Sequence, residues 1–250
     1  MVDDTPVFRG SINKLTSLVR RCVEDYDMIA DGETIAVGIS GGKDSLSMLY
    51  ALANLRGYYP RRFKLHAVTL DMGHGGMDFS PVGKLCDKLN VPYTIKETDF
   101  AKIIFEDRKE KNPCALCAKM RRGALHDLIR SLGAGKIALA HHFDDAIETF
   151  LLSLLYEGRI SCFQPVTYMD RSDVTQIRPM LYIGEGTIAR IAREYSLPVV
   201  TNTCPMNGAS KREEIKTLIK TLSADYPDLR SKIFGAMQRL PIEGWRQAPK

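Results

Sequence analysis

The sequence predicts an α/β protein built on a doubly wound parallel sheet, with one amphipathic helix before the sheet and a small helical region after it. Three observations carry that expectation. Short apolar runs alternate with helical patterns between residues 34 and 156, and the first run empties into a glycine-rich loop that opens a helix. The composition, 44% hydrophobic and 26% charged over 250 residues, is that of an ordinary globular chain with a sizeable core. Strands separated by helices lie parallel and bury both faces of their sheet.

Ile12, Leu15, Leu18, Val19, Cys22 and Val23 recur at helical spacing, which predicts a first helix within residues 12–30 and makes Ser11 its candidate N-cap. Thr34 to Ile39 is bounded by Asp31-Gly32 and by the glycine loop, and reads as a buried strand. A helix from about 44 to 56 follows. Leu65 to Leu70 reads as the second strand, Ser80-Pro81 as the start of a helix to about 89, and Tyr93 to Ile95 as the third strand. Ala118 to Leu132 is expected to be helical, Lys136 to Ala140 a strand, and Asp144 to Tyr156 an apolar helix stopped at Gly158.

Beyond residue 160 the pattern changes. Val166 to Tyr168 and Val174 to Ile177 flank the polar run Asp170 to Asp173, as in a hairpin. A helix over 185–195, a last strand over Leu197 to Val200, a helix to about 222 opened by Ser210 with Glu213 as a capping box, and a final helix over 228–239 complete the reading. No repeat, low-complexity segment or linker interrupts the chain. The expected organisation is an N-terminal helix over 1–30, one working domain over 31–205, and a C-terminal helical extension of that domain over 206–250.

The first ten residues carry acids where a secretory leader carries bases, and no apolar stretch approaches the roughly 20 residues that cross a bilayer. A cytoplasmic protein with no membrane partner is expected. Six cysteines are too dilute for a disulfide scaffold, so thiols or thiolate ligands are expected. A net charge of +5 with pI near 8.8 permits a polyanionic partner.

The loop Ser40-Gly41-Gly42-Lys43-Asp44-Ser45 joins a strand to a helix, an arrangement that points free backbone N–H groups at an anion. The glycines let the backbone approach phosphates, the serines donate hydroxyl hydrogen bonds, and Lys43 brings a compact positive charge to a leaving pyrophosphate. Asp44 is placed to hold magnesium or to set the helix start. The plainer alternative is a glycine turn that only caps a helix. The spacing fits neither G-x-x-x-x-G-K-[ST] nor G-x-G-x-x-G. The loop resembles that of the N-type ATP pyrophosphatases, which cleave ATP between its α- and β-phosphates.

Ala140-His141-His142-x-Asp144-Asp145-x-x-Glu148-Thr149 stands at a strand end and a helix start. Ligands in such sheets gather at the strand carboxyl ends, so this segment is expected to face the loop, with His141 bordering the nucleotide and the carboxylates binding magnesium or orienting reactants. Its plainer reading is a helix cap with packed histidines. Cys114-Ala115-Leu116-Cys117 is a C-x-x-C, which by itself suits zinc, redox or iron–sulfur chemistry. The remaining candidate partner is Cys204, in Asn202-Thr203-Cys204-Pro205. Three thiolates make a poor closed zinc site and suit a four-iron cluster with one iron open. Cys22, Cys86 and Cys162 sit in or beside apolar patterns and read as buried small hydrophobes.

Taken in order, the loop, the C-x-x-C followed by Lys119-x-Arg121-Arg122-Gly123, the His141-His142 segment and the late Cys204 resemble the tRNA 2-thiocytidine synthetase family of PP-loop ATP pyrophosphatases. The likeness spans about residues 12 to 240 and includes Tyr226-Pro227 and Ala236-Met237-Gln238. It implies an adenine-nucleotide alpha-hydrolase-like sheet and an ATP-dependent tRNA sulfurtransferase that adenylates C2 of a pyrimidine, an anticodon-loop cytidine. The resemblance implies a nucleotide site of Ile39, Ser40, Gly41, Gly42, Lys43, Asp44, Ser45, Leu70, Asp71, Met72, Ala140, His141 and Asp145. Lys43, Asp44, Arg121 and Asp144 are the implied catalytic residues. Cys114, Cys117 and Cys204 are the implied ligands of a 4Fe-4S cluster, with ATP and Mg2+ completing the cofactors.

The implied partners are tRNA and a sulfur donor such as a cysteine desulfurase or free sulfide, and a homodimer is the default assembly. The pairs Lys109 with Lys111, Arg121 with Arg122, and Lys211 with Arg212 are candidate phosphate contacts. Three alternatives stay open at this point: a lysidine-synthetase-like ligase with structural zinc, a nucleotide- or RNA-binding module without catalysis, and thiolation through cysteine persulfides.

Overall fold

The computed structural model describes residues 10–206, 211–239 and 242–245. Six strands form one sheet in the order β3-β2-β1-β4-β6-β5. They are β1 (Thr34–Gly38), β2 (Lys64–Asp71), β3 (Tyr93–Glu97), β4 (Lys136–Ala138), β5 (Val166–Met169) and β6 (Val174–Ile177). All neighbours run parallel except β5 and β6, which form the expected hairpin with Val166 opposite Ile177. The pairing moves from β1 outward to β2 and β3 on one side, and to β4 and β6 on the other. The switch between β1 and β4 leaves a crevice at their carboxyl ends, where ligands of such sheets bind.

The helices follow from the apolar spacing. α1 (Ser11–Asp25) buries Ile12, Leu15, Val19, Cys22 and Val23 against α2 (Lys43–Arg56) and α6 (Glu185–Glu194). The expected cap at Ser11 is not formed: Gly10 is the N-cap and the Ser11 hydroxyl donates to Glu194. α3 (Ser80–Lys88) joins the same layer through Val82 and Cys86. The opposite face of the sheet, at Ala36, Val68, Ile137 and Val174, is covered by Leu128 and Ile129 of α4 (Pro113–Ser131). α5 (Phe143–Tyr156), α7 (Lys211–Asp225) and α8 (Leu229–Arg239) pack together beside the sheet. The capping role read for Ser210 lies outside the described residues.

Two further differences from the expected elements have local causes. Leu197 to Val200 forms no strand. Pro198 has no N–H to give a ladder, and the Val200 N–H donates instead to the Gly41 carbonyl at 2.9 Å, tying this segment to the glycine loop. α4 begins five residues earlier than expected, at Pro113, because Asn112 accepts from the Ala115 N–H at 3.3 Å and Pro113 occupies the first turn. Cys114 therefore belongs to the helix and does not precede it. A π-helical turn over Lys102–Asp107, not foreseen, lies against α4.

Candidate functional site

The glycine loop is locked by its own serines. The Ser45 hydroxyl donates to the Gly42 carbonyl at 3.0 Å and accepts from the Ser40 N–H at 3.2 Å, and the Gly42 N–H donates to Ser40 Oγ at 3.3 Å. Gly41 has φ of +82°, and a Cβ there would lie 2.9 Å from Val200 Cβ and 3.3 Å from a Phe79 ring carbon. Only glycine satisfies both the left-handed backbone and that approach. The loop thus stays open at the N-terminus of α2, where free N–H groups and the helix dipole favour an anion.

A cleft of about 380 Å³ opens from this loop. Ile39, Ser40, Asp44 and Ser45 line one side, Leu70 and Met72 follow from the end of β2, and Ala140 and His141 come from the end of β4. Arg121, Cys117 and Cys204 form the remaining wall. Loop, C-x-x-C helix and late cysteine therefore meet at one crevice. Cys117 and Arg121 are one helical turn apart, so both reach it. Burial pushes the Cys117 thiol up, the Arg121 guanidinium pulls it down, and the nearby Cys204 and Cys114 thiols raise it further. Cys114 is exposed and outside the lining. Among the described residues no three His, Cys, Asp or Glu side chains are gathered closely enough to hold a metal ion.

Cys204 is set by an Asn202 turn, in which the Asn202 carboxamide oxygen accepts from the Cys204 N–H at 3.0 Å. Cys22 and Cys86 are buried as read, and Cys162 is partly buried with its thiol on the Ala146 carbonyl. Burial pushes the Cys86 and Cys162 thiols up to about 12, which keeps them protonated and inert.

His141 is pressed against Phe163, their ring centroids 4.9 Å apart, and burial together with Arg178 pushes its pKa down to about 4. The ring is neutral at physiological pH, and its Nδ1 is buried with no hydrogen-bond partner among the described residues. Phe163 is itself held by Trp245, which is fully buried and donates its indole N–H to the Phe163 carbonyl at 2.9 Å. Trp245 thus backs the His141 side of the cleft. Neither Phe163 nor Trp245 was read as part of the site; His74, Met77, Phe79 and Asn202 also line the cleft and carried no sequence signal beyond the turn-forming Asn202.

Lys43 and the carboxylates of α5 are arranged differently from the sequence reading. Lys43 Nζ lies 3.1 Å from Asp44 Oδ1 and 3.0 Å from Glu185 Oε1, at the start of α6. Partial burial opposes its charge, but Glu185 and Asp44 outweigh that and hold its pKa above the ordinary lysine value. Asp144, expected near the reacting base, does not line the cleft. It is buried behind the loop, where Oδ2 accepts from the Glu185 N–H at 2.7 Å and Oδ1 pairs with Arg230 of α8. Its place in the first turn of α5 aims it at the α6 N-terminus. A second cavity of about 210 Å³ lies there, bordered by Asp144, Glu148, Glu185, Lys216, Lys220 and Arg230.

Asp145 also turns away from the cleft. It caps α5 by accepting from the His142 N–H at 3.0 Å and pairs with Arg212 at 3.2 Å. Asp71 accepts from the Gly73 N–H at 2.9 Å and shapes the turn after β2 without lining the cleft.

The model of the PP-loop domain matches residues 12–221. The tRNA-cytidine(32) 2-sulfurtransferase of Geobacter sulfurreducens is 35% identical over 227 residues, 90% of this chain and 88% of that protein. The tRNA-cytidine(32) 2-sulfurtransferase of Pelobacter propionicus is 37% identical over 240 residues, 95% of this chain and 88% of that protein. Among solved structures, the U34-tRNA thiolase NcsA from Methanococcus maripaludis with its 4Fe-4S cluster superposes with a TM-score of 0.72 at 24% identity, covering 89% of this chain and 76% of that one, a likeness of fold. On the sequence relationship, with the loop, Cys117 and Cys204 meeting at one cleft, the chain belongs to the tRNA 2-thiocytidine synthetase (tRNA-cytidine 2-sulfurtransferase) family of PP-loop proteins.

Proposed function

We propose that this chain is a cytoplasmic ATP-dependent tRNA sulfurtransferase that replaces the C2 oxygen of an anticodon-loop cytidine with sulfur. The observation that carries the reading is the shared cleft, with Ser40, Asp44 and Ser45 on one wall and Cys117, Arg121 and Cys204 on the other. In the first step the C2 oxygen bonds to the α-phosphorus of ATP, the α–β phosphoanhydride breaks, and pyrophosphate leaves. In the second, sulfur bonds to C2 and the C2–O bond breaks, releasing AMP.

The chain's contribution is positioning and charge. Loop N–H groups and the Ser40 and Ser45 hydroxyls cradle the phosphates, and Lys43 exchanges Glu185 for the leaving pyrophosphate. Neutral His141 borders the adenine side. Arg121 stabilises charge at the adenylated base and favours thiolate at Cys117. Asp44, which lines the cleft with its Oδ1 3.1 Å from Lys43 Nζ, would hold Mg2+, which neutralises phosphate charge when bound.

Cys114, Cys117 and Cys204 would hold the 4Fe-4S cluster. Their chemistry fits: three soft thiolates with no histidine among them are too few to close a zinc site, and they match a cluster with one iron open. When bound, the cluster would hold sulfide at its open iron for C2; free sulfide provides it directly, and persulfide sulfur from a cysteine desulfurase provides it once a thiol reductant has supplied two electrons. Protein prepared without oxygen should contain about four iron and four sulfide per chain and should release pyrophosphate when ATP and tRNA are both present. One tightly bound zinc without sulfide would overturn the reading in favour of an amine ligase.

A further inference from the structure

Basic side chains crowd one segment of this protein, directly after the exposed acids Glu106 and Asp107. Residues 108–122 contain six basic side chains, Arg108, Lys109, Lys111, Lys119, Arg121 and Arg122, and one acidic one, Glu110; their net charge equals the +5 of the whole chain. All six are exposed. Glu110 is partly covered and accepts the Asn112 N–H at 3.2 Å. None of the six cations is ion-paired among the described residues, whereas the candidate pair Lys211 and Arg212 is engaged, with Glu214 at 2.8 Å and with Asp145 and Glu148 at 3.2 and 3.1 Å.

The placement of this segment gives the charge a direction. It comprises the turn before α4, where Lys109 has φ of +47°, and the exposed first half of that helix. The same half-helix delivers Cys117 and Arg121 to the cleft, so the segment's unpaired cations lie on the turn and helix that build this wall, with Arg121 at the lining itself. We propose that residues 108–122 form the surface that docks the RNA phosphate backbone on either side of the reacting nucleotide, with Lys109, Lys111, Lys119 and Arg122 as its phosphate contacts. This rests on the reading of the chain as a tRNA-thiolating enzyme and adds where and by what chemistry the tRNA is held. Contacts of this kind position the substrate without reading its sequence, and each one releases bound counterions.

The test is a salt titration of binding between the full chain and unmodified tRNA transcript, comparing wild type, K109A/K111A and a control, K84A/K232A, which removes two exposed lysines elsewhere. For K109A/K111A the slope of log affinity against log salt should fall by about 2, with ATP affinity unchanged and the same loss for a tRNA of different anticodon-loop sequence. The control should retain the wild-type slope. Equal slopes for K109A/K111A and wild type, or an equal loss in the control, would overturn the proposal. So would unchanged tRNA binding with thiolation lost only when a cysteine desulfurase is the donor, which would give the face to an acidic sulfur-delivery protein. Failure of the wild type to bind tRNA at all would instead remove the functional reading itself.

Discussion

Replacing Asp144 by alanine removes two partners at once, and the expected cost divides between them. The Glu185 N–H loses a 2.7 Å bond to a buried carboxylate, a charge-assisted interaction worth about 1.5–3 kcal/mol. Arg230 loses its counter-ion but is 45% exposed, so water takes over and the added cost is about 0–1 kcal/mol. Asp144→Ala should therefore lose about 1.5–4 kcal/mol in urea unfolding at unchanged m. Asp144→Asn keeps one acceptor of the same shape and should lose less. Because Glu185 is the first residue of α6 and pairs with Lys43, both variants should slow pyrophosphate release through a misplaced Lys43. Wild-type stability in Asp144→Ala would refute this placement. Full stability with abolished activity in Asp144→Asn would show instead that Asp144 touches the reaction itself.

Glu185→Gln removes a carboxylate that raises the Lys43 pKa, so Lys43 should lose its proton at lower pH. The alkaline limb of the profile of kcat/KM for ATP, which reports the free enzyme, should move toward neutrality; an unmoved limb would separate Glu185 from the catalytic lysine. Trp245→Ala empties a fully buried site and should cost about 3–5 kcal/mol while weakening ATP binding through Phe163 and His141; calorimetry and nucleotide titration read both. Serine variants of Cys114, Cys117 or Cys204 should each lose iron and sulfide together yet bind ATP, whereas those of Cys22, Cys86 and Cys162 should keep them. Retention of full iron by Cys204→Ser would remove that residue from the ligand set.

The features legible in the sequence were those written in local chemistry. The strand, glycine loop and helix at residues 34–56, the period of α1, and the hairpin around Asp170 to Asp173 depend on neighbouring residues and appear where expected. The start of α4 is also written there, in the Asn112 cap and Pro113, which carry the helix back over Cys114 and Cys117. Leu197 to Val200 looked like a strand by apolarity alone, although Pro198 argued against it. Asp144 could not have been placed from sequence: its partners are Glu185 and Arg230, 41 and 86 residues away, and only the packing of α5, α6 and α8 brings them together. The same holds for Trp245 behind His141, with Phe163 in ring contact with both.

The most direct measurement of the reaction itself is made on tRNA. Wild-type protein prepared without oxygen is incubated with unmodified tRNA, ATP, Mg2+ and sulfide; the tRNA is then digested, and 2-thiocytidine and AMP are both quantified. Equal amounts of the two are expected, with neither formed by Lys43→Ala and no thiolated nucleoside formed by Cys117→Ser. AMP released with tRNA but without any sulfur in the nucleosides, or 2-thiocytidine formed as well by Lys43→Ala as by wild type, would contradict ATP-dependent thiolation at this cleft.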